Sequence, residues 1–289
     1  MLRWEVERLF ENEKEYLLNG LHSSDFPVAV LLGGQPASGK SNLTERVLEN
    51  NRNKNFLIVN GDDFRIYHPA HSDLIKNPLS YSDETQIFSN VFTEKLIEEA
   101  IKNKFDIIIE GTMRIKDVPA STAKMFKEAG FKVEAYVIAA PALFSEIGIY
   151  SRYQREVEKK DSGRLADINS HNEAVKGLLI SVDSLFRNNS VDKISIYSFG
   201  AKEKIKDYNF NGHSWNCYLS PADVIKQSRE QQLNNPDLYT DRLVAAYETL
   251  HKIDNNLQYD VQQVINKMRD DVKFSLPQLR YNIKKFFKT

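Results

Sequence analysis

From Pro27 onward the chain alternates short apolar runs with longer stretches whose apolar positions recur every three or four residues. The runs are VAVLL (28–32), FLIV (56–59), FDIII (105–109), VEAYVIA (133–139) and ISIYSF (194–199). Unbroken apolar runs of this length suit strands buried on both faces. Helical periodicity fills the intervals near residues 40–50, 83–103, 119–129, 142–160 and 169–187. The series predicts an α/β fold, a mainly parallel sheet with helices on both faces. Ligands of such sheets lie at the carboxyl ends of the strands.

The flanks read differently. Trp4, Leu9, Phe10, Tyr16 and Leu17 recur at helical spacing and Gly20 offers a stop, which predicts an amphipathic helix over residues 3–19. After about residue 218 the pattern is helical and polar, through PADVIKQSREQQL and DRLVAAYETLHKI. The chain thus divides into an N-terminal helical segment (1–26), a central domain (27–217) and a C-terminal helical extension (218–289). Its last 18 residues, VKFSLPQLRYNIKKFFKT, hold five basic side chains and no acidic one, as a solvated or partner-packed tail would.

Composition narrows the function classes. With 289 residues and 41% hydrophobic content the chain can bury a substantial core. Its 39 basic and 40 acidic residues leave a net charge of -1, so no global field favours nucleic acid or a membrane surface. Any anion site must be local. Cys217 is the only cysteine, which excludes an intramolecular disulfide framework and a cysteine-cluster metal site and fits a reducing compartment. No run approaches the roughly 20 apolar residues of a membrane helix, and the acidic N-terminus does not read as a signal peptide. The expectation is a cytoplasmic protein.

The local anion site is the stretch between the first strand and the first central helix. Gly34, Gln35, Pro36, Ala37, Ser38, Gly39, Lys40 and Ser41 match the phosphate-binding loop pattern in strand–loop–helix context. Glycines let backbone N–H groups curl around phosphate oxygens, and the following helix directs its positive end at them. Lys40 would reach the β and γ phosphates and the Ser41 hydroxyl would ligate magnesium. The loop therefore predicts ATP or GTP with magnesium on a P-loop kinase-like sheet. It leaves the acceptor open, because motors, GTPases and small-molecule kinases share it.

Two further strands deliver carboxylates to the same rim. FLIV runs into NGDDF, so Asp62 and Asp63 emerge where a base for an attacking hydroxyl is needed. Aspartate there also serves as a turn or helix cap. DIIIEGTMR ends on Glu110, followed by Thr112 and Arg114. A carboxylate after three isoleucines is costly to bury without a partner, which makes Glu110 a candidate for magnesium-water or substrate contacts, or for a structural ion pair. Asp62 and Glu110 together would face the γ-phosphate. After the fourth strand, YSRYQREVEKKDSGR carries Arg152, Arg155 and Arg164. Guanidiniums of this kind neutralise charge spread over the transferred phosphoryl oxygens, although such a run also suits a solvated helix face.

Taken together, LGGQPASGKSNL, GDDFRIYHP, FTEKLIEEA, IIEGTMRIKDVPASTA and RYQREVEKKDSGR resemble the zeta toxin family, the kinase half of bacterial toxin–antitoxin systems, over roughly residues 25–205. The resemblance implies ATP-dependent phosphorylation of the 3'-hydroxyl of the amino sugar in UDP-N-acetylglucosamine. It implies Asp62 as catalytic base, Lys40 and Ser41 as nucleotide and magnesium contacts, and Arg152 and Arg164 as the arginines on the ATP phosphates. It also implies Glu94, Glu110, Thr112, Arg114 and Thr122 as lining the sugar-nucleotide site, and a small helical antitoxin that contacts the N-terminal part.

Four positions depart from the family pattern. Ala37 stands for a loop glycine and Ser41 for a threonine, both of which keep the chemistry. Met113 stands for a glycine beside the acceptor residues, which predicts a thioether narrowing the sugar pocket. Asp63 stands for a threonine beside the base, which predicts like-charge coupling to Asp62. Other readings are a kinase of another hydroxyl, such as the ribose of NAD or an antibiotic alcohol, and a nucleotide-switched regulatory module.

Overall fold

The computed structural model describes residues 1–271; the basic tail read from the sequence, residues 272–289, lies outside them. Six strands form one sheet in the order β2-β3-β1-β4-β5-β6. They are β1 (Val28–Gly33), β2 (Phe56–Asn60), β3 (Asp106–Gly111), β4 (Lys132–Ala139), β5 (Lys193–Ser198) and β6 (Lys204–Asn209). The first five pair in parallel and β6 runs antiparallel to β5. The five parallel strands coincide with the apolar runs. The sixth carries no such signal, because KIKDYN is a largely half-exposed edge strand.

Helices before the sheet's midpoint are α1 (Arg3–Leu17), α2 (Lys40–Asn50), the short α3 (His71–Leu74) and α4 (Tyr81–Glu84), α5 (Gln86–Asn103) and α6 (Asp117–Glu128). Those that follow are α7 (Ala142–Lys160), α8 (Ile168–Arg187), α9 (Pro221–Leu233), α10 (Pro236–Lys252) and α11 (Asn255–Asp270). The helix expected over residues 83–103 is interrupted at Thr85, which ends α4 and starts α5.

Because side chains alternate along a strand, each central strand feeds two cores. Ala29 and Leu31 join Val6, Phe92, Phe126 and Leu178, from α1, α5, α6 and α8, on one face. Val28, Val30 and Leu32 meet Leu43 and Val47 of α2 on the other. A third cluster joins Phe144 and Ile147 of α7 to Tyr239 and Leu243 of α10 and Val261 and Ile265 of α11.

The leading helix is part of this construction: of the five residues expected on its apolar face, Phe10 is buried and Leu9 and Leu17 pack against the same core, whereas Trp4 and Tyr16 do not. Trp4 and Tyr16 are 57% and 76% exposed. The buried stripe is Val6 and Phe10, one turn apart, with Phe10 edge-on to Phe92 at 5.3 Å between ring centres. Trp and Tyr tolerate a wet surface, so their spacing misled at Trp4 and Tyr16 while Val6 went unnoticed.

Candidate functional site

β1 lies between β3 and β4, so the loop that leaves Gly33 emerges at the sheet's carboxyl end with connections diverging to either side. Residues 34–39 turn into α2, whose first two residues are Lys40 and Ser41. Gly39 caps the helix at φ 102°, and a Cβ there would stand 2.5 Å from the Gly200 Cα. The loop after β5 packs on it that closely, with Gly200 N–H donating to Ser38 O at 2.9 Å and Asn42 Nδ2 to Gly200 O at 3.0 Å. Ala37 sits at φ 59°, a left-handed conformation that glycine adopts without strain. Gln35 is wholly buried and Pro36 partly so.

Lys40 Nζ donates to the loop's own carbonyls, Gly34 O at 2.9 Å and Gln35 O at 3.3 Å. Burial pushes its ammonium down to about 8 against the pull of Glu110 and Asp62, and Arg152 and Arg164 push the same way. Ser41 is exposed in the first turn of α2, beside the helix's free N–H groups.

Asp62 follows β2 by two residues. Its Oδ2 is ion-paired with Arg164 Nη1, and its Oδ1 accepts from Arg65 Nε at 3.1 Å. Burial works to raise this carboxyl, yet the two guanidiniums outweigh it and hold it below the usual carboxylate range. The side chain remains 43% exposed, so a ligand can reach it. Like-charge coupling falls on Asp63 instead: burial first, then Glu110 and Asp62, raise its carboxyl, against a hydrogen bond from Asn60.

Glu110, level with Asn60 across the β2–β3 pair, takes a hydrogen bond from Thr44 Oγ1 at 2.7 Å. Beyond it the chain passes Thr112 and turns at Met113, φ 51°. The Met113 side chain is buried in the sheet's larger core against Gly33 and Leu178. It does not narrow a pocket, contrary to the expectation from the sequence; the left-handed turn aims it inward. Helix α8 clamps the segment: Ser181 Oγ donates to Met113 O at 2.7 Å, and a Cβ on Gly177 would stand 1.9 Å from Arg114 O. Arg114 donates to Ser170 Oγ at 2.9 Å and pairs with Glu173 at 3.4 Å.

Arg152 of α7 stands 3.7 Å from Glu156 Oε1, too far for a hydrogen bond, and its buried Nε has none among the described residues. Burial and then Arg164 lower it, against Glu156 and Asp62. Arg155 points to solvent and bonds back to Ser151 O. Two predicted residues stand apart from the rest by their bonds. Glu94 pairs with Arg3 of α1 at 2.5 Å, and Thr122 donates to Val118 O of its own helix at 2.9 Å. Among the described residues neither is hydrogen-bonded to the group around Asp62.

Sequence reasoning missed Arg65. Its side chain is 4% exposed, and its guanidinium also donates to Ser82 O at 2.6 Å, Thr85 Oγ1 at 2.9 Å and Gln86 Oε1 at 3.0 Å. It fixes Asp62 and the α4–α5 break together. The signal available was its position three residues after Asp62, which one helical turn brings alongside. Ser82, which accepts from Arg164 Nε at 3.0 Å, carried no signal. Among the described residues no helix is long and apolar enough to cross a membrane.

Comparison with known proteins gives a consistent picture. The family model described as Zeta toxin matches residues 14–213. Toxin zeta of Enterococcus hirae is 30% identical over 234 residues, 78% of this chain and 77% of that one. Toxin zeta of Streptococcus pyogenes is 28% identical over 280 residues, 93% of this chain and 88% of that one. A solved structure from the PezAT chromosomal toxin–antitoxin system of Streptococcus pneumoniae superposes with a TM-score of 0.65 at 22% identity, covering 94% of this chain and 97% of that chain. At that identity the likeness is one of fold.

Proposed function

Because the chain belongs to the zeta toxin family, we propose that it is an ATP-dependent kinase that transfers the γ-phosphate to a sugar hydroxyl of a UDP-sugar, the 3'-hydroxyl of UDP-N-acetylglucosamine. The observation that carries this reading is that Lys40 of the loop lies in the field of Asp62, Glu110, Arg152 and Arg164, while Arg65 and Arg164 hold the Asp62 carboxylate.

In this reading the loop N–H groups and Lys40 hold the ATP phosphates, with Arg152 and Arg164 neutralising charge that builds on the γ-phosphoryl oxygens. Magnesium suits a site of this kind. It keeps most of its own waters and takes one or two protein oxygens plus substrate phosphates, and Ser41 offers a hydroxyl in the first turn of α2. The ion supplies charge neutralisation of the β and γ phosphates. The reading assigns Glu94, Glu110, Thr112, Arg114 and Thr122 to the acceptor side on the family pattern, Glu94 and Thr122 standing apart from the others by their bonds. Asp62 orients the attacking hydroxyl; as its oxygen bonds to the γ-phosphorus and the bond to the ADP oxygen breaks, the proton passes to the carboxylate. A depressed carboxyl is adequate for this, because a loose transition state leaves the hydroxyl proton in place until late.

The PezAT relative belongs to a toxin–antitoxin system, and a small helical antitoxin is the proposed partner here. Residues 1–26 present Trp4, Tyr16 and Phe26, the last 85% exposed, as apolar groups for such a partner.

The test is transfer itself. Purified protein with magnesium and ATP is given UDP-N-acetylglucosamine, other UDP-sugars and NAD, and products are read by mass spectrometry. A phosphate adduct on UDP-N-acetylglucosamine that disappears in Asp62→Asn is the expected result. ATP turnover with no adduct on any UDP-sugar overturns the proposed acceptor.

A further inference from the structure

Beneath the phosphate loop runs a line of polar groups that the reaction as described does not use. Gln35 Nε2 donates to Ala140 O at 2.8 Å and to Ser145 Oγ at 3.1 Å. Ser145 Oγ lies 2.9 Å from His171 Nε2, and His171 Nδ1 lies 3.1 Å from Asn172 Oδ1. Gln35, Ser145 and His171 are each 0% exposed. Three fully buried polar side chains in series are costly unless each donor meets an acceptor.

The bonds have a direction. Asn172 Oδ1 can only accept, so the His171 hydrogen is on Nδ1 and Nε2 presents a lone pair. The Ser145 hydroxyl hydrogen then points to His171, and the Ser145 oxygen is left to accept from Gln35. This order requires neutral imidazole. Burial lowers His171, with Arg229 and Lys267 acting in the same sense and Asn172 and Glu146 opposing. Without the histidine, the Ala142 and Pro141 carbonyls, 3.0 and 3.2 Å from Ser145 Oγ, compete for the hydroxyl and turn its lone pairs.

Three elements meet through this line. Gln35 belongs to the loop whose carbonyls at Gly34 and Gln35 seat Lys40. Ser145 is on α7 with Arg152, and His171 is on α8 beside Ser170, which holds Arg114. We propose that His171 is a positioning residue for the phosphate loop: through Ser145 it fixes the Gln35 side chain, and with it the loop backbone on which Lys40 rests. The proposal deepens the nucleotide-binding reading of that loop and rests on it.

The experiment measures binding of magnesium and ribose-labelled fluorescent ATP to the full chain, with thermal melting without nucleotide alongside. The variants are His171→Leu, His171→Gln and Ser145→Ala. Gln keeps an acceptor oxygen within reach of Ser145. His171→Leu and Ser145→Ala are expected to weaken nucleotide binding by about tenfold, the order that losing one buried hydrogen bond produces. His171→Gln is expected to retain affinity within about threefold of wild type even where its melting temperature falls as far as that of His171→Leu. Equal affinity in all four proteins overturns the proposal, as does a Gln variant that binds as weakly as Leu. If His171→Leu does not fold, Ser145→Ala decides by the same affinity criterion. Wild-type protein that fails to bind the nucleotide overturns the kinase reading itself, an outcome distinct from variants that bind normally.

Discussion

Arg164, four residues past the end of α7, is ion-paired with Asp62, two residues past the end of β2. With Arg65 on the other oxygen, the pair sets the carboxyl's titration against the raising effect of burial. Removing Arg164 leaves burial less opposed. In Arg164→Leu, carbon NMR of the Asp62 carboxyl is therefore expected to titrate at higher pH than in wild type, where it falls below 3.8. The sign for stability follows from linkage. A carboxyl depressed in the folded state contributes stability that is present above its unfolded value and lost as pH falls through the folded one. The stability deficit of Asp62→Asn, read by denaturant melts, should accordingly shrink as the pH is lowered below 3.8.

Lys40 has the opposite balance. Its ammonium is pushed from 10.5 down to about 8, so folding costs free energy as long as the amine is charged. The unfolded chain binds more protons than the folded one between those values, and stability from this group therefore rises with pH across that window. Lys40→Met removes the cost. It is expected to melt about 2–4 °C higher than wild type at pH 7, to lose that advantage above pH 10.5, and to lose ATP turnover. Scanning calorimetry at the two pH values checks it; an unchanged melting temperature at pH 7 refutes it.

Met113 separates packing from selectivity. Replacing it by glycine relieves a left-handed backbone, worth about 1 kcal/mol, but deletes a buried thioether, which costs about 2–5 kcal/mol. The second effect is larger, so Met113→Gly should destabilise by about 1–4 kcal/mol in denaturant melts. Because the side chain lies in the core, the order of preference among acceptors of the proposed kinase should not change. A gain of bulkier acceptors would return the thioether to the pocket.

These residues mark what was legible in the sequence. The strand–loop–helix turn at residues 34–41 was legible because its eight positions are consecutive and follow a set spacing. Asp62 and Glu110 were legible because a parallel strand delivers whatever follows it to one rim. Met113 was not, since the direction of its side chain depends on a backbone angle and on the room left by Gly33 and Leu178. Arg65 was not, because arginine is mostly an exposed residue and only the folded chain supplies four acceptors around one guanidinium. The line from Gln35 to His171 joins residues far apart in sequence, so no local pattern announces it.

The last prediction concerns α1, where two neighbouring contacts differ in kind. Phe10 is 1% exposed and edge-on to Phe92, so Phe10→Ala should cost about 3–5 kcal/mol of stability. Arg3 is 55% exposed and pairs with a half-exposed Glu94, so Arg3→Ala should change stability by less than about 0.5 kcal/mol. Yet if Glu94 lines the sugar-nucleotide site, freeing it from Arg3 alters the acceptor's KM while ATP affinity stays the same. Denaturant melts and steady-state kinetics on the two variants read these effects separately. An Arg3→Ala protein with wild-type KM for the UDP-sugar would remove Glu94 from the acceptor site, whereas a Phe10→Ala protein of wild-type stability would detach α1 from the core.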